Sequence, residues 1–417
     1  MKLLDISSFY TENGGGVRTY HHFKLDYFAK HPEHQYLMVI SSEGDRYREK
    51  VRGGTVYRIP GFAIPRNESY RQISDVTGLR RIIAEERPDV IEIGSVYLDN
   101  WLIAATTIGK RPVKVGFYHA DFPDSYLAPA VDHFPRAFSK RFLAFWHRYV
   151  QFAYDRLDAT CVTSQYIEAK LERLGITNTV HIPLGVDTQL FHPGKRSNAL
   201  RETLGIRSDE TLLLYVGRFS TEKGIETMLK AMPSIARDKR RKIVLIGGGS
   251  IEDAVRRAAA PFDNVTVLDF INDQQWLSTL YASADLFLSP GPFETFGLST
   301  LEALSSGVPV VVASCGGAYE LVKETGGGEA FVANDPAAMA DAVDRLLAGD
   351  ASRIGLAAAG IVREKYSWEK TFDRMVSIYT ALIDRKNRRR VSGLMPNPNP
   401  PAFRERTRLG AFPFCGA

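Results

Sequence analysis

The sequence predicts an α/β protein made of two successive domains with largely parallel sheets. Three observations predict it. Apolar strand-like runs alternate with helical periodicity from the first residues, the same alternation restarts after a turn-rich stretch near residue 190, and 417 residues exceed one ordinary core.

In the first half, Lys2–Ser7 reads as a strand, Val17–Lys30 as a helix and Tyr36–Ser41 as a second strand, a strand-helix-strand unit. Further strands are expected at Val90–Gly94, Val113–Tyr118, Ala159–Thr163 and Val180–Pro183. Pro183 to Gly194 carries the turn residues and polarity of a linker, which divides the chain into domains of residues 1–190 and 191–365. The second half repeats the pattern with strands at Thr211–Val216, Lys242–Ile246, Val265–Asp269, Ala284–Ser289 and Val308–Ala313. A last helix is expected over 366–384, with Ser367 as its cap and Phe372, Met375, Val376 and Tyr379 at helical spacing.

Composition narrows the class. With 44% hydrophobic and 24% charged residues the chain is that of a globular protein, and no run is long enough to span a bilayer. Asp5 interrupts the first residues before a signal-peptide core develops, and Cys161, Cys315 and Cys415 lack metal-type spacing, so a reducing, cytoplasmic location is expected. The net charge of +5 suggests a nucleic-acid partner until it is located: eight Lys/Arg and one Glu of residues 385–417 account for the excess. No nucleic-acid partner is therefore expected. The same tail holds Met395-Pro-Asn-Pro-Asn-Pro-Pro401, with too much proline and too little apolar periodicity for a core, and is expected to be disordered. Its basic cluster suits anionic lipid at roughly 1 kcal/mol per residue, the plain alternative being a solvated terminus.

The chemistry concentrates in Gly291-Pro-Phe-Glu294-Thr-Phe296-Gly297-Leu298 and the helix that follows, which carries Glu302. A strand, a Pro/Gly loop, a helix and a buried-type strand follow one another here, and ligands of open α/β sheets bind at such a loop. Glu302, about one turn inside the helix, suits the vicinal hydroxyls of a ribose, while the N–H groups of Phe296 to Leu298 face an anion and Glu294 reaches a sugar. A lone Glu in a first turn is ordinarily structural, worth roughly 0.3–1 kcal/mol through the helix dipole. Arg218 and Lys223 follow the strand ending at Val216, where two cations can converge on a diphosphate; in isolation they read as a solvated surface. Gly14-Gly15-Gly16 after the first strand permits close backbone approach to a phosphate or sugar, or is a plain flexible turn. No Asp-x-Asp triplet occurs, which leaves no obvious carboxylate pair for a metal ion.

Glu294 and Glu302, separated by seven residues, resemble the E-x7-E signature of the retaining two-domain glycosyltransferases of family 4. The resemblance extends through Gly217-Arg218, Glu222-Lys223-Gly224, Gly14-Gly15-Gly16 and Gly316-Gly317, and so from residue 1 to about 383. It implies the GT-B fold, two Rossmann-like domains facing each other across a cleft, with acceptor bound by the first, nucleotide-sugar by the second, and the last helix returning to the first. It implies that Gly15, Gly16, Arg218, Lys223, Glu294, Phe296, Gly297, Leu298 and Glu302 bind the donor, and that Arg218, Lys223, Glu294 and His119 serve catalysis. His119 resembles the family histidine lining the cleft near the transferred sugar, although a lone His is ordinarily structural. Asp121 and Tyr126 are candidates for acceptor hydroxyls. No cofactor beyond a UDP- or GDP-sugar donor and no metal is expected.

The implied function is transfer of a hexosyl unit to a lipid or glycan. Tyr118-His-Ala-Asp-Phe-Pro123 resembles enzymes of α-mannosylated or diacylglycerol-linked glycolipids. The alternatives are a polysaccharide- or lipopolysaccharide-building transferase, a nucleotide-sugar epimerase or phosphorylase, and a non-catalytic nucleotide-sugar binding protein on the same fold. Phe138, Phe142, Phe145, Tyr149 and Phe152 lie on one stripe of a helix over 136–156, with Arg136, Lys140, Arg141 and Arg148 around it. A core-facing helix is the plain reading; the resemblance adds a second, peripheral contact with the inner face of the cell membrane.

Overall fold

The computed structural model describes all residues except 12–14, 65–66, 95–97, 108–111 and 393–417, and leaves out the side chains of 67–69, 105 and 389–392. Gly14, Cys415 and the proline-rich tail thus lie outside the described residues.

Nine strands form the first sheet: β1 Lys2–Ser7, β2 Gln35–Ser42, β3 Tyr47–Val51, β4 Gly54–Ile64, β5 Asn67–Ile73, β6 Val90–Ile93, β7 Val113–Phe117, β8 Ala159–Val162 and β9 Thr179–His181. Their order is β3-β4-β2-β1-β6-β7-β8-β9, with β5 paired to β4. All pairings are parallel except β3 with β4 and β4 with β5. The second sheet is wholly parallel, in the order β12-β11-β10-β13-β14-β15, from β10 Thr211–Val216, β11 Arg241–Ile246, β12 Val265–Leu268, β13 Leu286–Ser289, β14 Val310–Ala313 and β15 Gly328–Phe331. Continuous apolar runs such as Val310-Val-Val-Ala313 are buried throughout because helices cover both faces of each sheet.

Sequence patterning misses β3 to β5 and β15. Tyr47-Arg-Glu-Lys-Val51 forms the exposed antiparallel margin of the first sheet, where charged side chains guard the edge and erase the apolar signal. The last helix, Trp368–Ser392, also runs beyond residue 384, so residues 385–392 of the expected tail are helical. Lys386 explains the extension: its ammonium reaches the Pro112 carbonyl at 2.9 Å and Asp158 at 2.6 Å, tying the basic run to the first domain.

The chain crosses between the sheets twice, and the crossings are paired. Val186 donates to the Tyr366 carbonyl at 3.1 Å and bridges Ser367; the Thr371 hydroxyl donates to the Pro183 carbonyl at 3.0 Å, and Arg374 to the His181 carbonyl at 2.8 Å. Beyond the crossing, Trp368, Phe372 and Tyr379 bury against Tyr20 and Tyr27 of the Gly16–Lys30 helix and against Glu92, which returns the C-terminal helix to the first domain.

Candidate active site

The carboxyl ends of both sheets meet at one seam. β10 and β13 are neighbours, so the loops after them lie side by side, and Lys223 from one places its ammonium 2.7 Å from Glu294 of the other. Arg218, on the same loop as Lys223, lies 3.5 Å from Glu222 and reaches across the seam to the Tyr126 hydroxyl at 3.1 Å. Tyr126 belongs to Pro123–Leu127, a single turn of π-helix that sequence patterning does not show.

Gly297 opens the Leu298–Ser305 helix with φ +95°, a conformation that costs a side-chain-bearing residue, and frees the preceding backbone to turn sharply into the helix. Gly317 packs so closely on this loop that a Cβ would stand 2.5 Å from Phe296 Cα, and its N–H holds the Glu294 carbonyl at 2.6 Å. The Glu294 loop is therefore clamped from behind. The first domain closes on the same helix: Leu298 is the nearest neighbour of Gly16, 3.0 Å from where a Cβ would be. A Cβ at Gly15 would meet nothing within 4 Å. Phe296 itself is buried beside Tyr366, so only its backbone is offered to a ligand.

Glu302 stands one turn inside the helix, and burial pushes its carboxyl up to about 7, with the nearby Tyr281 phenol pulling the other way. His119 follows β7, its ring stacked on Phe117 at 4.3 Å and edge-on to Tyr20 at 5.2 Å. Burial, with His21 next, holds it down at about 3, and the neutral ring leaves Nε2 without a hydrogen-bond partner. Buried polar atoms are ordinarily paired, so this open ring nitrogen stands out. Asp121 is different: buried, it accepts from Tyr118 at 2.9 Å and from Lys170, so both oxygens are held by the protein and stabilise the π-turn instead of facing an acceptor. Lys170 also holds Asp124, which His147 meets at 3.1 Å.

Sequence reasoning misses the bonds across the seam. Thr295 donates to the His119 carbonyl at 3.0 Å and accepts from Thr163 at 3.0 Å and Ser164 at 2.7 Å. Glu320 accepts from the Gln165 and Tyr166 N–H groups, each at 3.0 Å, and burial raises its carboxyl to about 7. Thr295 lies inside the Glu-x7-Glu stretch and Glu320 just past Gly316-Gly317, so position within known motifs was the available signal.

The Arg136–Tyr154 helix corrects the core-facing reading. It buries Val150, Ala153 and Tyr154, while Phe138 is 49% exposed and Phe145 64% exposed, beside exposed Arg136, Lys140, Arg141 and Arg148.

With this geometry in place, the relatives are informative. Residues 14–190 match the family described as Glycosyltransferase Family 4, and residues 197–361 match Glycosyl transferases group 1. The chain is 28% identical over 390 residues, 92% of its length and 97% of the relative's, to the GDP-mannose-dependent alpha-(1-6)-phosphatidylinositol dimannoside mannosyltransferase of Mycobacterium tuberculosis. It is 27% identical over 294 residues, 69% of its length and 66% of the relative's, to the GDP-mannose-dependent alpha-mannosyltransferase of Corynebacterium glutamicum. Among solved structures, sucrose-phosphate synthase from Thermosynechococcus elongatus superposes with TM-score 0.74 at 23% identity, covering 92% of this chain and 99% of that one, a likeness of fold.

Proposed function

The chain belongs to the glycosyltransferases of family 4 and is a hexosyltransferase with the GT-B fold; on that premise we propose that it moves a mannosyl unit from GDP-mannose, with retention, to a phosphoinositide-type glycolipid. The observation that carries this reading is the meeting of Arg218, Lys223 and Glu294 at the seam, beside the helix bearing Glu302. Both mannosyltransferases above support the donor, and the mycobacterial one supports the acceptor class.

In the proposed reaction the bond from the sugar C1 to the diphosphate oxygen breaks and one from C1 to an acceptor oxygen forms on the same face. The acceptor's proton passes to the leaving phosphate. Arg218 and Lys223 meet the negative charge that grows on that phosphate, which stabilises the transition state more than the bound donor. These two fixed cations support a metal-independent transfer. Glu294, already tied to Lys223, accepts from hydroxyls of the sugar, and Glu302 accepts from the ribose diol. Neutral His119 offers Nε2 to a sugar hydroxyl.

Among the described residues no helix is long and apolar enough to cross a membrane. The outward aromatic and basic face of the Arg136–Tyr154 helix supports peripheral contact with an anionic lipid surface, where a lipid acceptor resides. The test is purified full-length chain with GDP-mannose or UDP-glucose and phosphatidylinositol-containing vesicles, the product read by mass spectrometry and the anomeric linkage by NMR. α-Mannosyl product from GDP-mannose is expected. Transfer from UDP-glucose alone, a β-linked product or no product overturns the reading.

A further inference from the structure

We infer that Thr295 is a positioning residue, the central pin of a clasp between the domains that brings Glu294 and His119 into register, with Glu320 as the second pin. The inference rests on the reading that Glu294 and His119 line the transfer site.

The clasp uses one continuous segment of the first domain. Thr163 and Ser164 leave β8 and donate to the Thr295 carbonyl, and the next two residues, Gln165 and Tyr166, donate their N–H groups to Glu320. From the second domain the Thr295 hydroxyl returns a bond to the His119 carbonyl at 3.0 Å. Thr295 thus uses its carbonyl and its hydroxyl on two different strand ends of the opposite domain. It is covalently next to Glu294, whose carbonyl is held by Gly317 and whose carboxylate is held by Lys223. Glu320 sits in the helix that Gly316 and Gly317 begin. Thr295, seated on the first domain, therefore fixes the backbone of Glu294 and His119 together.

Packing alone does not require these groups. The Gln165–Arg173 helix already has a cap of its own, the Ser164 hydroxyl accepting from Ile167 N–H at 3.3 Å, yet two further N–H groups of its first turn are satisfied by a carboxylate from the other domain. On opening, those N–H groups and the Glu320 carboxylate return to water, where each finds substitutes. Such a contact is strong enough to define the closed geometry and reversible enough to let products leave.

Thr295→Val keeps the shape and removes the hydroxyl; Thr295→Ser keeps the hydroxyl. The expected result is a fall in kcat of about tenfold or more in Thr295→Val with donor KM changed by less than about threefold, and recovery to within about threefold in Thr295→Ser. Wild-type kcat in Thr295→Val, or equal losses in both variants, overturns the inference. Small-angle scattering with GDP bound supplies a readout free of turnover: the Thr295→Val/Glu320→Gln double variant should show a larger radius of gyration than wild type, with thermal melting confirming that it is folded. An unchanged scattering curve overturns the clasp. Should wild type transfer no sugar, the proposed function falls, and the scattering comparison still decides the clasp.

Discussion

Each domain holds a lysine paired with carboxylate, and the two settings are opposite. In the first domain Lys24 is fully buried, 2.8 Å from Asp5 and 2.7 Å from Glu92, with Tyr20 and Tyr379 donating to Glu92 and Tyr36 to Asp5. Lys24 and its neighbours draw Asp5 well below the usual carboxylate range against the cost of burial. In the second domain Lys223 meets Glu294 at a half-open seam, and Arg218 meets a phenol at 3.1 Å and a carboxylate at 3.5 Å. A network sealed from solvent offers little to a ligand, whereas an open pair has room to exchange a partner. The same residue types are sealed into the interior of one half and left at the open seam in the other.

The sharpest way to break this contrast is to remove both lysines in turn. Lys24→Met strands two buried carboxylates and should cost about 3–5 kcal/mol of stability, read by denaturant unfolding. Lys223→Ala should leave stability nearly unchanged and lower kcat by about 10²–10³, because the charge it meets grows in the transition state. Equal effects on stability would erase the distinction.

Glu302 sharpens it further, since it combines burial with a proposed ligand role. Glu302→Gln should weaken nucleotide binding by about tenfold, measured by calorimetry. Wild-type affinity should also fall as pH drops through about 7, because protonation removes acceptor capacity from the carboxylate, and the Gln variant should lack that component. The stability effect has the opposite sense. A carboxyl raised in the folded state contributes stability below its unfolded value near 4.3 that is lost as pH rises through about 7, so Glu302→Gln should raise the melting temperature at pH 8 more than at pH 5. The smallest effect is at the surface: Phe145→Ser should reduce binding to anionic vesicles a few-fold and leave kcat on a water-soluble acceptor unchanged. Undiminished vesicle binding would remove the helix from the membrane reading.

How much of this was legible follows the same contrast. The proposed second-domain site was readable because Arg218, Lys223, Glu294 and Glu302 sit in short loop-to-helix stretches where sequence proximity and spatial proximity coincide. The parallel strands were equally plain, Val310–Ala313 for instance, because burial on both faces leaves an unbroken apolar run. In the first domain the contacts come from far apart: Asp5, Lys24, Glu92 and Tyr379 share no motif, and pairing over such separations leaves no local periodicity. Asp121 looked available to an acceptor because nothing near it in sequence announces Lys170. The aromatic stripe of 136–154 was visible, but its direction was not; a helix pattern states which residues share a face, and only packing states which face is inside.

The hydrogen bond from Tyr379 to Glu92, 2.6 Å long, has a temporal meaning. During synthesis residue 92 emerges from the ribosome well before residue 379, so this buried carboxylate waits for a helix encoded far downstream. Until that helix docks, the interior of the first domain keeps an unfinished surface.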